Sequence, residues 1–151
     1  MINDWQIIVR LFFSLILSGF IGLERQVHRH TAGLRTHILV SLGSCLIMLT
    51  SLYVFDIYKN QAPIDPSRIA AGVITGIGFL GAGTIIRARE GIKGLTTAAS
   101  LWVVAGVGLA CGCGFYKAAI FTSILALITL FFLRHVERMM FGAEERDKRL
   151  D

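Results

Sequence analysis

Charge is what this chain has least of. Asp, Glu, Lys and Arg make up 17% of its 151 residues, where a soluble domain carries about 25%. The shortfall lies in five long apolar runs, and with 54% hydrophobic residues and a mean hydropathy of +0.67 it excludes a soluble domain. Proline is almost absent: Pro63 and Pro66 sit together in the only turn-rich connector. The three cysteines, Cys45, Cys111 and Cys113, lie in apolar stretches. Their one close pair is C-x-C, which lacks the two-residue spacing of common zinc and redox motifs, so they read as small packing residues. No basic segment or small-residue cleavage site accompanies the first run, whose flank is Asp4, so it reads as a span and not a cleaved leader. Neither a Ser/His/Asp nor a Cys/His arrangement sits where catalysis is credible, and an enzyme is not expected. The net charge of +5 resides in loops and span ends, where it sets topology and gives no indication of nucleic-acid binding.

What is present is an all-α, polytopic membrane domain occupying residues 1–151 as a single unit. A helix needs about 20 residues to cross about 30 Å of hydrocarbon. The expected spans are Trp5–Leu23, Ile38–Phe55, Ser67–Ile86, Leu95–Phe115 and Ala118–Leu133, followed by a charged tail from Arg134 to Asp151. In span 1, Ser14, Ser18 and Gly22 form a small-xxx-small stripe that admits another helix closely. Arg10 lies shallow enough to snorkel outward. Asp65-Pro66 reads as the N-cap and first position of span 3. With an external N-terminus, eleven Lys and Arg fall inside, against Lys59, Arg68, Lys117 and the shallow Arg10 outside. The positive-inside rule then predicts N-out, C-in.

The stretch Gly76–Ser100 contains Gly76-x-Gly78-x-x-Gly81, which fits a dinucleotide fingerprint by letter. It lacks the preceding strand and the acidic residue about 20 positions on that such a site requires. Gly76, Gly78, Gly81 and Gly83 read instead as helix-packing positions, as does Gly22. The stretch also has an echo. Gly19-Phe20-Ile21-Gly22, Arg25 and Gly33-Leu34-Arg35-Thr36 match Gly78-Phe79-Leu80-Gly81, Arg87 and Gly94-Leu95-Thr96-Thr97. This suggests a duplicated helical hairpin, spans 1–2 and 3–4, with span 5 added.

The candidate functional residues follow from the two inner loops. Glu24, Arg25, Arg35, Thr36, Arg87, Lys93 and Thr97 form a constellation denser than topology requires, suited to an anionic head group or an acidic protein surface. His28, His30 and His37 read as solvated loop residues. Magnesium would want several carboxylate oxygens, and Glu24, Glu90, Asp56 and Asp65 are too dispersed for a cage, so no metal or other cofactor is expected. Asp65 and Arg68 stand apart, on the other side.

Five segments resemble the membrane domain of the MgtC/SapB family: Gly22-Leu23-Glu24-Arg25-Gln26, Ala32-Gly33-Leu34-Arg35-Thr36-His37, Arg68-Ile69-Ala70-Ala71, Gly76 through Arg87, and Lys93 through Trp102. The resemblance implies a bacterial inner-membrane protein of about five spans, linked to magnesium limitation and to survival in host macrophages. One branch is described as a regulator that binds the F-type ATP synthase, and older descriptions make the family magnesium transporters. Longer members continue into a soluble ACT-like domain, whereas this chain stops at Asp151 and resembles the shorter SapB-like ones. Gly72 stands where relatives commonly have glutamine. The expected function is therefore a regulator in magnesium and energy homeostasis acting through membrane-protein binding, with an ion transporter or channel as the alternative. The lipid bilayer, a membrane protein such as the ATP synthase, and a second copy of the chain are the expected partners.

Overall fold

A computed structural model describes residues 2–61, 63–88 and 91–141, with side chains through Arg134. Residues 142–151 of the expected tail, and Arg89 and Glu90 of the third loop, lie outside the described residues. Five helices follow in order: α1 Asp4–Val27, α2 Leu34–Tyr58, α3 Ser67–Thr84, α4 Leu95–Cys113 and α5 Tyr116–Phe141. Four of them, α1, α2, α4 and α5, are long and apolar enough to cross a membrane. The glycine-rich α3 falls just short. Its 18 residues make about 27 Å of helix, and it lies against α4, sharing a cluster of Val73, Ile77, Leu101 and Ala105.

Two departures from a purely helical reading concern the ends of α3 and α2. The third loop is not irregular: β1 (Ile86–Ala88) and β2 (Gly91–Lys93) pair antiparallel, Ile86 opposite Lys93 and Ala88 opposite Gly91. Gly94 closes that hairpin at φ 95°, with its α-carbon so near the Thr84 carbonyl that a side chain would collide. Only glycine adopts this backbone without strain. The second departure is that α2 begins four residues before the expected Ile38, at Leu34, after the extended Gly33. That shift carries His37 from a loop into a helix face.

Helix α4 is the hub, packed against α1, α2, α3 and α5. Its approach to α2 is made by Gly108 and Gly112. A Cβ at Gly112 would lie 2.6 Å from Met48 Cβ and 2.7 Å from the Cys45 carbonyl, so the two backbones are in direct van der Waals contact, as small residues permit in lipid. Along the α1–α2–α4 junction runs a seam of hydroxyls. Ser14, Ser18, Ser41 and Ser44 are buried; the Ser14 and Ser41 hydroxyls are 2.9 Å apart, and Ser18 donates to the Ser14 carbonyl at 2.6 Å. In an apolar medium each such group needs a partner, and the helix spacing of four supplies it.

The Arg10 guanidinium donates to the Gly112 carbonyl at 2.7 Å, capping the last turn of α4, whose end carbonyls have no helical partner. A cation is favoured there by the helix dipole. At the same end, the Ser51 hydroxyl donates to the Pro66 carbonyl, and Asp65 Oδ1 accepts the Ser67 N–H at 2.8 Å. It lies just ahead of α3, whose N-cap is Pro66, and the Ser67 side chain together with this backbone bond holds the Asp65 carboxyl below the usual carboxylate range.

Candidate functional site

The opposite end of the bundle holds the polar centre. On α1, positions 14, 18, 21, 22 and 25 share one face by helical spacing, and all five are buried. Gly22 sets how closely α2 crosses this face: a Cβ there would lie 2.8 Å from Leu34 Cα and 2.9 Å from His37 Cβ. The tight crossing draws Arg25 into the bundle, leaving it 3% exposed.

Arg25 Nη2 donates to Thr97 Oγ1 on α4 at 3.5 Å, and its Nη1 stands 3.7 Å from Glu24 Oε2. The other Glu24 oxygen faces His28 Nδ1 at 2.9 Å and Arg134 Nη1, from α5, at 3.4 Å. Arg134 Nη2 reaches His30 Nε2 at 3.1 Å. Because arginine only donates, Nε2 must accept, which fixes His30 as the neutral ring with its proton on Nδ1. Burial, helped by Arg25 and Arg134, accordingly holds the His30 pKa below its ordinary 6.5. Glu24 Oε2 and Arg25 Nε are buried without a hydrogen-bond partner among the described residues, so the link between them is one of charge. Helix α1, the turn that follows it and α5 thus meet at one carboxylate.

His37 extends the centre toward α4. It is fully buried; Nδ1 lies 2.8 Å from the Gly33 carbonyl and Nε2 3.0 Å from Ser100 Oγ. Ser100 Oγ is in turn 2.8 Å from the Thr97 carbonyl. The carbonyl partner requires a proton on Nδ1, leaving Nε2 of a neutral ring as an acceptor, so one serine proton faces two acceptors. The imidazole is oriented by a backbone carbonyl and by no carboxylate, which does not form the base-and-orienter relay of a nucleophilic hydrolase.

Of the residues singled out from sequence, the fold brings Glu24, Arg25 and Thr97 together inside the bundle. Arg35, Thr36, Arg87 and Lys93 share that end but lie exposed on its rim, apart from that trio. Asp65 and Arg68 are at the far end, in and after the connector to α3. The expectation that the histidines are solvated is corrected for His37, which the earlier start of α2 buries. His30 and His28 are partly buried and engaged as described. Among the glycines, Gly22 makes a close approach and Gly81 an ordinary one, a Cβ there lying 3.6 Å from Ala98 Cβ, whereas a Cβ at Gly76, Gly78 or Gly83 meets nothing within 4 Å. On the Cβ side these three meet none of the described residues, whereas Gly108 and Gly112 stand directly against α2. Gly22 against His37 and Gly81 against Ala98 are equivalent pairs in the apparent duplication, and Gly33 and Gly94 both precede the helix that follows.

His37, Ser100, His30 and Arg134 were not prominent in the sequence. His37 had one legible signal, its spacing of four from Gly33 and from Ser41. Arg134 had none, being far along the chain and read as the start of a tail.

The centre does not suit a divalent cation. Its carboxylate is surrounded by Arg25, Arg134 and His28, and among the described residues no group of three or more His, Cys, Asp or Glu could hold a metal ion. A hard cation takes six or more oxygens, several of them anionic.

Comparison with known proteins gives consistent matches. The MgtC family profile covers residues 11–139. The chain is 46% identical over 127 residues to "Putative magnesium transporter YhiD" of Escherichia coli K12, covering 83% of this chain and 59% of that one. It is 42% identical over 127 residues to "Protein MgtC" of Salmonella typhimurium LT2, covering 84% and 52%. It is 40% identical over 139 residues to "Protein SapB" of Bacillus subtilis 168, covering 89% and 60%. The chain therefore spans little more than half the length of these relatives. No solved structure matches it.

Proposed function

Because the chain belongs to the MgtC family, a family of multi-pass membrane proteins, we propose that it is a membrane-embedded regulator in magnesium and energy homeostasis. It acts by binding other membrane components, and Mg²⁺ does not pass through its own bundle. The observation that carries this reading is the enclosure of Glu24. A transport path needs an ionisable group that a cation can reach and leave. Here the carboxylate is 9% exposed and held by Arg25, Arg134 and His28. The buried seam of hydroxyls also has a guanidinium toward each end, Arg10 and Arg25, which repels a divalent cation.

In this reading all five helices span a bacterial inner membrane with the N-terminus outside, as the charge distribution favours. The Glu24–Arg25–Thr97–His37 centre then lies at the cytoplasmic end and fixes α1, α2, α4 and α5 relative to one another. The exposed rim of Arg29, Arg35, Arg87 and Lys93 is the contact surface for an acidic partner. The F-type ATP synthase is one membrane assembly that can be tested for this role. None of the three relatives' names describes an enzyme, and the reading assigns no catalysis.

The test is a pair of assays on the full chain, one with purified protein and one in native membranes. In liposomes, Mg²⁺ influx should not exceed that of empty vesicles, and in native membranes a photo-cross-linker at Arg87 should capture a discrete protein. Robust Mg²⁺ flux abolished by Glu24→Gln would overturn the proposal in favour of transport, and cross-links to lipid and self alone would overturn the binding role.

A further inference from the structure

A cavity of about 520 Å³ opens between α1 and α2, at the end of the bundle opposite the Glu24 centre. Ile7, Leu49, Leu52 and Phe55 give it an apolar wall, and three charged residues, Asp4, Arg10 and Asp56, line the rest. Asp56 is engaged by Lys59. Asp4 and Arg10 have no ion-pair partner among the described residues, and they do not pair with one another. The cavity therefore presents one uncompensated charge of each sign.

Arg10 is the more demanding of the two. A guanidinium has five N–H donors. One is used here, on the Gly112 carbonyl at 2.7 Å, and Nε is buried without a partner among the described residues. The end of α4 supplies the equivalent of about half a negative charge, so the cation is only partly balanced. Ionisable groups at membrane depth ordinarily pair, and one left unpaired beside a cavity favours an anionic occupant. Asp4 precedes Arg10 by six residues, about 9 Å of helix rise. The head-group zone of a bilayer is about 5–8 Å deep on each side. Helix α1 thus carries an acid at the outer edge of that zone and a base near the hydrocarbon boundary.

Charge complementarity selects the occupant. Inorganic phosphate would satisfy Arg10 but would face Asp4, Asp56 and an apolar wall. A phospholipid with a purely anionic head meets the same two carboxylates. A choline head has no N–H to donate to them. A phosphoethanolamine head carries phosphate oxygens that accept from a guanidinium and an ammonium that donates to a carboxylate, both charge-assisted bonds. We propose that this cavity binds the head of an ethanolamine phospholipid, its phosphate on Arg10 and its ammonium on Asp4, with the acyl chains along the apolar wall.

The test is native mass spectrometry of the full chain, delipidated in non-ionic detergent and titrated with phosphatidylethanolamine, phosphatidylglycerol or phosphatidylcholine of identical acyl chains. One ethanolamine lipid should be retained per chain, at least tenfold more strongly than either of the others. Asp4→Lys should cut that retention at least tenfold and raise retention of the glycerol lipid. Arg10→Gln should weaken both. Because Arg10 also caps α4 and its loss can unfold the chain, the exposed Asp4→Lys keeps the test decisive. Lys117→Gln, at the same end but outside the cavity lining, should change nothing. Equal retention of the three lipids, an unaltered preference in Asp4→Lys, or an equal loss in Lys117→Gln would overturn the proposal. Displacement of the lipid by soluble O-phosphoethanolamine at equal concentration would overturn the lipid assignment in favour of a soluble zwitterion. None of these readouts depends on Mg²⁺ flux or on a captured partner.

Discussion

Replacing Arg25 with methionine tests whether the buried ion pairs hold the bundle together. Methionine keeps most of the side-chain volume and removes the charge. Breaking a buried pair by deleting one partner costs about 3–5 kcal/mol, because the other charge is left uncompensated. Glu24 would keep Arg134 at 3.4 Å and His28 at 2.9 Å, which places the loss at the low end of that range. The Arg25–Thr97 bond, at 3.5 Å, is long and adds less than about 1 kcal/mol. A loss of about 3 kcal/mol corresponds to a fall of about 6–12 °C in Tm for a chain of this size. Thermal unfolding in detergent, followed by tryptophan fluorescence, gives the number. Glu24→Gln should be comparably harmful, and the double variant should cost less than the sum of the two, since neither charge is then left alone. A drop below about 2 °C, or strict additivity, would refute the reasoning.

The remaining predictions use the same assay. Gly112→Ala drives a Cβ into Met48 and the Cys45 carbonyl and should cost about 1–3 kcal/mol, while Gly76→Ala, with nothing within 4 Å, should be neutral or stabilising by up to about 1 kcal/mol. Equal responses at the two glycines would contradict the packing described for α4. His37→Phe removes both imidazole bonds and should destabilise by about 1–3 kcal/mol, with Ser100→Ala milder; the reverse order would place the main bond elsewhere. His30 binds its proton more weakly when folded than its ordinary 6.5. The stability it contributes is therefore complete above about pH 6.5 and declines as pH falls toward the folded pKa. His30→Gln should flatten that decline, and an unchanged pH profile would assign it to another group.

Much of the architecture was legible in the chain. Apolar runs report on the bilayer directly, because any helix crossing it must present about 20 largely uncharged residues. The loop motifs around Glu24-Arg25 and Gly94-Leu95-Thr96-Thr97 placed the chain in its family. Asp65 and Pro66 marked the start of α3 for a local reason, since capping depends on residues two or three apart. The hairpin of β1 and β2 was missed: two three-residue strands leave too short a pattern to read. The early start of α2 was missed because a histidine in a first turn is indistinguishable from one in a loop until its neighbours are known.

What the sequence determined by itself is therefore the medium, the helical membrane fold and the family, all of which follow from composition and from contiguous motifs. Only the tertiary structure decided which glycines matter and where the charges go. Gly76 and Gly112 are equivalent as letters, yet one faces open space and the other a backbone less than a side chain away. Arg25 and Arg35 are both loop-side cations in the sequence. One is buried against Glu24 and Thr97 and the other is exposed, because the crossing of α1 and α2 at Gly22 turns only the first into the bundle. Such outcomes depend on pairs distant in the chain, up to the 110 positions between Glu24 and Arg134, and no local pattern encodes them.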